Sequence, residues 1–173
     1  MRALDFWKAV TVDEANLLED FVRLLESHHI HYCVIGGQAV NAYVEPLVSL
    51  DLDVVVAADQ GPEFESMLPA DFVLERFPHS LNISRRGSDL RIQIQTDARY
   101  APFVDRATPR DVLGMSLRVA RIEDLLEGKV WAALDATRRG SKRQKDLADI
   151  ARILEGHPRL RQEVPPDVLE RLL

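Results

Sequence analysis

The stretch VIGGQAVNAYVEPLVSLDLDVVV, residues 34–56, places two adjacent glycines and an Asp-x-Asp pair within one largely apolar frame. The apolar run 31–37 closes at Gly36 and Gly37, which is typical of a buried strand that ends in a turn. Residues 38–44 follow a helical pattern that Pro46 stops, and the valine-rich run 50–58 favours a second strand. The segment therefore predicts a strand, a glycine turn, a short helix and another strand.

The two aspartates of the second strand point to one face. Residues i and i+2 of a strand share a face, so Asp51 and Asp53 present carboxylates ~6–7 Å apart. Like charges at that separation repel unless a cation lies between them. Mg²⁺ binds carboxylates together with substrate phosphates, and two such ions can stabilise both oxygens in phosphoryl-type transfer. A metal site and a pair of solvated aspartates at a strand start both remain open.

The glycine pair also has two interpretations. Glycine allows the backbone to approach a ligand closely, and a helix N-terminus offers free N–H groups to an anion. The pattern is neither a G-x-G-x-x-G motif nor a Walker A loop, because no lysine follows the glycines. A phosphate-binding turn and a plain strand-to-helix turn are the two alternatives.

Together, the strand, Gly36-Gly37, the helix and the Asp51-x-Asp53 strand resemble the nucleotidyltransferase fold of the polymerase-β-like superfamily. The resemblance implies an α+β (α/β-like) chain with a mixed sheet flanked by helices and a C-terminal helical tail. It also implies that the glycine turn, with Gln38 after it, holds an NTP triphosphate. By the same resemblance, the aspartates bind two Mg²⁺ ions.

The C-terminal run IEDLLEGKVWAALDATRRGSKRQKDLADIARIL, residues 122–154, resembles AbiEii-type toxin nucleotidyltransferases. The likeness spans about residues 20–156 and implies functional roles for Lys129 and Asp146. It further implies NMP transfer to a hydroxyl acceptor such as a tRNA end, and a cognate antitoxin as partner. The matching positions are Glu123, Leu125, Lys129, Ala132, Arg138 or Arg139, Lys145, Asp146 and Asp149.

A basic cluster lies just before this acidic pair. The chain carries a net charge of −6, so a polyanion contact needs a local patch of cations. Lys142 and Lys145 can hold a triphosphate or an RNA backbone, or they can form i,i+4 salt bridges with Asp146 and Asp149. Five cations lie within eight residues: Arg138, Arg139, Lys142, Arg143 and Lys145.

The strand predicted at 90–96 departs from the superfamily pattern. A third carboxylate is expected there, yet Arg91, Gln93 and Gln95 share the relevant face. Glutamine is a poor Mg²⁺ ligand and cannot act as a base, so Asp146 is the hypothetical replacement base. Two alternatives follow: a degenerate or non-catalytic nucleotide-binding or interaction module, and a small-molecule nucleotidyltransferase of the antibiotic-modifying kind.

Composition sets the frame for these predictions. The 173 residues are 46% apolar and 29% charged, which suits one compact domain with its own core. The single Cys33 lies in an apolar run and predicts a buried strand residue and a reducing compartment. With no membrane-length apolar stretch, we expect a soluble cytoplasmic protein. A break near 121 predicts a core, 1–121, and a helical subdomain, 122–173, packed upon it.

The remaining elements follow from periodicity and turn signals. A capping box at Thr11 and Glu14 predicts a first helix over 12–27. Strands are predicted at 72–77, 81–86, 90–96 and 115–120, the second and third forming a hairpin around 87–88. Thr108-Pro109 predicts a short helix over 108–113. Further helices are predicted at 59–69, 122–136, 142–156 and 166–173.

Overall fold

The computed structural model describes residues 16–172. Seven strands of this part of the chain form a single sheet. The strands are β1 Tyr32–Ile35, β2 Asp51–Val56, β3 Phe72–Phe77, β4 Ser80–Arg85, β5 Arg91–Gln95, β6 Thr108–Val112 and β7 Met115–Val119. Their order across the sheet is β3-β4-β5-β2-β1-β7-β6. Strands β1–β7 and β2–β5 pair in parallel and the other neighbours are antiparallel, so the sheet is mixed.

Helices flank this sheet, which confirms the predicted α+β class with a helical C-terminal tail. They are α1 Leu17–Ser27, α2 Gly36–Asn41, α3 Gly61–Ser66, α4 Ala101–Arg106, α5 Ile122–Leu134, α6 Gly140–Gly156 and α7 Pro166–Leu169. Short 3₁₀ turns occupy Ala58–Gln60, Ala98–Tyr100 and Pro158–Glu163. The predicted capping box at 11–14 and the predicted helix start at 12 lie outside the described residues. No helix within residues 16–172 has the length and apolarity needed to cross a membrane.

Strand β2 lies in the middle of the sheet and fixes what surrounds its aspartates. On one side it pairs with β1, where Ile35 is opposite Asp53. On the other side it pairs with β5, where Arg91 is opposite Asp51 and Gln93 is opposite Asp53. The apolar side chains of β2 that alternate with the aspartates are buried, so the strand cannot slip in register without exposing them.

The predicted helix over 108–113 is wrong, because this segment is strand β6. It pairs with β7 from Thr108 to Val112 in an antiparallel hairpin. Leu113 and Gly114 link the strands with φ values of 56° and 83°, as a two-residue turn of type I′ requires. The cross-strand pairing therefore outweighs the local Thr-Pro helix signal. The nearest helix with proline in its first turn lies just before this strand, at α4.

The C-terminal helices pack on each other and on the start of the chain. Helix α5 contacts α6, and both contact α2, the helix that begins at Gly36. The division near 121 stays a prediction, but these contacts seat the helical tail directly over the glycine turn. Cys33 lies fully buried in β1, as predicted, and burial raises the pKa of its thiol to about 12.

Candidate active site

Gly36 fits against Asp53 in a way that only glycine permits. Its φ of +71° lies in the left-handed region, which L side chains rarely adopt. A Cβ at this position would overlap the Asp53 carboxylate, which lies directly above the Gly36 backbone. The turn therefore brings the start of α2 against one member of the acidic pair.

Gly37 and Gln38 have a different neighbour. A Cβ on Gly37 would come within 3.1 Å of Ser49 Oγ. The Gln38 side chain is buried, and its Nε2 donates a 2.7 Å hydrogen bond to the Ser49 carbonyl. These two predicted nucleotide-site residues thus hold the loop that leads into β2, and Gly36 is the one that lines the cavity described below.

The two aspartates of β2 are in different environments. Asp51 is bound by Arg91 in a two-pronged ion pair, with Nε 3.2 Å from Oδ1 and Nη2 2.9 Å from Oδ2. Asp53 is half-buried, and burial raises the pKa of its carboxyl. The positive charge of Lys129 opposes that shift in pKa and the negative charge of Asp51 adds to it. Sequence reasoning missed the Arg91–Asp51 contact, although strand parity already placed Arg91 on the face of Gln93.

A cavity of about 100 Å³ collects most of the predicted catalytic residues. It lies where β1, β2 and β5 face α5, next to the glycine turn. Asp53 and Gln93 line it from the sheet, and Lys129 and Asp146 line it from the helices. The residues on the two sides are at least 36 positions apart in the chain, the smallest separation being from Gln93 to Lys129, so tertiary folding assembles the site.

Lys129 joins the two acids of α6. Its Nζ lies 3.0 Å from Asp146 Oδ1 and 2.7 Å from Asp149 Oδ2. The Lys129 side chain is 12% exposed, and those of Asp146 and Asp149 are 2% and 4% exposed. Burial acts to lower the lysine pKa, but the charges of Asp149 and Asp146 outweigh it and raise that pKa. Lys129 is therefore a fixed cation at the cavity wall.

Two arginines complete this buried network. Arg138 Nε lies 2.6 Å from Asp146 Oδ2, and Arg152 Nη1 lies 2.8 Å from Asp149 Oδ1. Three cations therefore surround two carboxylates, which leaves one positive charge beside the cavity. The i,i+4 salt bridges considered from the sequence are therefore not the pairs that form. Asp146 and Asp149 contact Lys129, Arg138 and Arg152 instead of Lys142 and Lys145.

The network extends to the loop before β2. Arg152 Nη2 donates to Asn41 Oδ1 at 2.7 Å and to the Glu45 carbonyl at 2.6 Å. Asn41 Nδ2 in turn donates to the Leu47 carbonyl at 2.6 Å, and the Leu47 amide donates back to Asn41 Oδ1 at 3.0 Å. The loop that leads to Asp51 is thus hydrogen-bonded to helix α6 through Arg152 and Asn41.

The predicted phosphate-binding lysines lie outside the cavity but close to it. The positive charges of Lys145 and Lys142 both act to lower the pKa of Asp53. Lys142 lines an open groove of about 570 Å³ that adjoins the cavity, with Gln93, Gln95 and Arg138 bordering both spaces. Further cations on the groove walls are Arg91, Arg99 and Arg139.

An aromatic group stands between the cavity and the groove. Tyr100 meets Trp131 edge-on with ring centroids 5.3 Å apart, and Phe103 stacks on Trp131 at 5.8 Å. Gly128 makes room for them, since a Cβ there would lie 3.1 Å from Tyr100 Cε1. Tyr100 and Phe103 line the cavity with Asp53, and Trp131 lines the groove with the Arg99 guanidinium 4.9 Å from its ring centroid.

The donors present limit how a metal ion would be held. Within residues 16–172 no three acidic, histidine or cysteine side chains gather into a metal site. The protein would supply Asp51 and Asp53, while Gln93 stands opposite Asp53 where an acid would complete the set. Mg²⁺ is commonly bound by one or two carboxylates with phosphate oxygens and water, so these residues fit an ion that arrives with a triphosphate.

The fold agrees with solved nucleotidyltransferase structures. The antibiotic-resistance factor ANT(2″)-Ia is similar with a TM-score of 0.57 at 10% identity, covering 90% of this chain and 94% of that one. The lincosamide antibiotic adenylyltransferase LnuA gives 0.54 at 13% identity, covering 83% and 99%. A nucleotidyltransferase-like protein from Paracoccidioides brasiliensis gives 0.50 at 18% identity, covering 94% of both chains. At such identities the likeness shows the fold alone.

The family follows from the sequence match. No curated protein matches the chain. The sequence model described as "Nucleotidyl transferase AbiEii toxin, Type IV TA system" matches residues 37–173, which includes β2, the lysine of α5 and the acids of α6. The chain therefore belongs to the AbiEii family of nucleotidyl transferase toxins, and the resemblance noted at its two motifs is confirmed.

Proposed function

We propose that the protein transfers a nucleoside monophosphate from an NTP to a hydroxyl acceptor and releases pyrophosphate, with Mg²⁺ at Asp51 and Asp53. The observation that carries the proposal is the meeting of Gly36, Asp53 and Lys129 around one cavity. A glycine turn at a helix start, a carboxylate and a fixed ammonium are groups that suit an NTP–metal complex. Membership of the AbiEii family supports the same chemistry.

Each residue has a role that its surroundings support. Asp51 and Asp53 would hold the metal, which when bound supplies charge neutralisation at the phosphates. The Lys129 ammonium faces the same space and stabilises negative charge that develops there, since it is held in place before substrate enters. Asp146 accepts from Lys129 and Arg138, so we assign it to positioning that ammonium. Its role as a base stays a prediction.

We place the nucleotide and its acceptor on either side of the aromatic group. Tyr100 lines both spaces: it shares the cavity with Asp53 and the groove with Arg99, Arg139 and Lys142. A basic groove with an aromatic edge suits a polynucleotide, because cations contact phosphates and rings stack on bases. We propose an RNA acceptor, of which a tRNA end in the cytoplasm is the leading case, and a cognate antitoxin that restrains the activity.

A second candidate is nucleotide binding without turnover. The specific observation in its favour is Gln93, which stands opposite Asp53 at the register position of the expected third acid. An amide accepts no proton from an attacking hydroxyl, so its presence lowers catalysis more than binding. On this alternative the protein binds a metal–NTP complex and releases no pyrophosphate.

The test is incorporation of label from each α-³²P-labelled NTP into total RNA and into purified tRNA. The wild type is expected to label an RNA in the presence of Mg²⁺, and an Asp51→Ala/Asp53→Ala variant is expected to label none. Arg76→Gln serves as control, since Arg76 lies on the edge strand β3, pairs with Glu65 of helix α3 and does not line the cavity. If no labelling depends on the aspartates while NTP binding is intact, transfer is refuted and nucleotide binding without turnover becomes the function.

A further inference from the structure

The metal-binding face of Asp51 already holds a cation that belongs to the protein. Arg91 stands directly opposite Asp51 in the β2–β5 register, and its guanidinium contacts both carboxylate oxygens. Such a fork-to-fork pair satisfies the carboxylate in a planar geometry that a single ammonium cannot reproduce. While this pair is formed, one lone pair on each Asp51 oxygen is taken and a positive charge lies against the carboxylate, so a divalent ion must compete with the guanidinium.

The pair is placed so that it can open. Arg91 is 44% exposed and Asp51 is 22% exposed, so water can replace either partner at small cost. Arg106 and Asp124 form a similar pair, and Asp124 also lines the cavity, but there the carboxylate is 2% exposed. The Arg91 side chain also lines the groove, together with Gln93 and Gln95, which border the cavity as well. Its guanidinium is therefore next to the space assigned to the triphosphate.

We propose that Arg91 is an exchangeable cation, bound to Asp51 in the free protein and transferred to the phosphate oxygens of an incoming metal–triphosphate. The inference rests on the proposed function and names a further substrate-binding residue for it. A guanidinium fits phosphate as well as carboxylate, so the exchange keeps its hydrogen bonds while releasing Asp51 to the metal. The free protein then binds metal weakly, and metal and triphosphate strengthen each other's binding.

Removal of Arg91 should change the affinity for metal and the affinity for triphosphate in opposite directions. In Arg91→Gln, Mn²⁺ alone is expected to bind about fivefold more tightly than in the wild type, since an exposed pair of up to about 1 kcal/mol no longer competes. Inorganic tripolyphosphate at saturating Mn²⁺ is expected to bind about tenfold more weakly, because a charge-assisted contact is lost. A residue with only a structural role would not move the two affinities in opposite directions.

The experiment measures Mn²⁺ binding by electron paramagnetic resonance and tripolyphosphate binding by calorimetry, using the full chain. Arg76→Gln is the matched control, because it also removes an arginine from an exposed two-pronged pair and should leave both affinities unchanged. Arg91→Lys tests the geometry and should restore less than half of the lost tripolyphosphate affinity. The urea midpoint of each variant confirms that it is folded.

The failures of the two proposals look different. If wild type binds Mn²⁺ in the presence of tripolyphosphate, and Arg91→Gln binds both ligands equally well or both more weakly, the exchange is refuted while the metal-dependent function stands. If the wild type binds no Mn²⁺ with or without tripolyphosphate, the proposed metal-dependent function falls, and the exchange falls with it.

Discussion

Replacing Lys129 by methionine removes the ammonium that joins the two acids of helix α6. Methionine is of similar length and fills most of the same space, so the change tests charge more than packing. Two ion-paired contacts are lost, at 3.0 Å to Asp146 and 2.7 Å to Asp149. Both carboxylates are at most 4% exposed, so water does not replace the ammonium.

The magnitude follows from what each acid keeps. Hydrogen bonds to charged groups are worth about 1.5–3 kcal/mol each, and breaking one partner out of a buried ion pair costs about 3–5 kcal/mol. Asp146 retains Arg138 and Asp149 retains Arg152, so neither charge is left alone. We therefore expect Lys129→Met to lower the free energy of unfolding by about 3 kcal/mol, near the lower end of that range.

The assay is urea unfolding followed by far-ultraviolet circular dichroism, at constant pH and salt. Asp149→Asn is measured alone and combined with Lys129→Met, because the double change removes both charges and should be less damaging than the sum of the single ones. Arg76→Gln, an exposed pair, should leave the midpoint unchanged. A loss below about 1 kcal/mol in Lys129→Met, or strict additivity in the cycle, would refute the idea of a coupled buried network.

Three other changes test separate parts of the structure. Gly36→Ala should cost about 1–3 kcal/mol of unfolding free energy, measured in urea, because alanine is strained at φ +71° and meets Asp53. Asp53→Asn should be more stable than wild type, by a margin that grows as pH rises above the ordinary carboxyl pKa of 3.8, since burial raises the folded-state pKa. Cys33 should resist alkylation at pH 8 in the folded protein. As pH rises from 9 toward 12, its thiol lowers stability by about 1.4 kcal/mol per pH unit, because only the unfolded thiol ionises.

Each of these has a control. Gly61→Ala lies in a helix with no atom within 4 Å of the added Cβ, so it should be neutral or stabilising by about 0.5 kcal/mol. Equal costs at Gly36 and Gly61 would contradict the strain argument. A pH-independent difference between Asp53→Asn and wild type would contradict the raised pKa. Cys33→Ala should abolish the extra slope above pH 9, and persistence of that slope would assign it to other groups.

Local sequence signals predicted most of the sheet. The strand at 51–56 and the helix after Gly36 follow from apolar runs and glycine, because burial and turn geometry act over a few residues. The segment 108–113 was mistaken for a helix since its Thr-Pro start is a local signal, while its pairing with Met115–Val119 is tertiary. The positive φ at Leu113 could not be expected, because a branched side chain rarely adopts it.

The candidate site could be predicted only in part, because local signals do not determine which strands and helices become neighbours. Parity along β5 placed Arg91 and Gln93 on one face, but the register that puts Arg91 opposite Asp51 depends on which strands become neighbours. Lys129 and Asp146 were singled out through the family resemblance, and their direct contact is a property of how α5 crosses α6. Spacing on one helix suggested lysine partners for these acids, whereas packing supplied Lys129 and Arg138, and the partner that spacing does supply is Arg152, three residues after Asp149.

The link between Arg152 and Asn41 has a consequence for synthesis of the protein. These residues lie 111 positions apart, and their hydrogen bond anchors the loop that delivers Asp51 to the sheet. A ribosome therefore releases both aspartates long before it has made the arginine that secures their approach. The hydrogen bonds of Arg152 to Asn41 and Glu45 can form only after Arg152 has been added, so a nascent chain that stops short of it carries the acidic pair without this anchor.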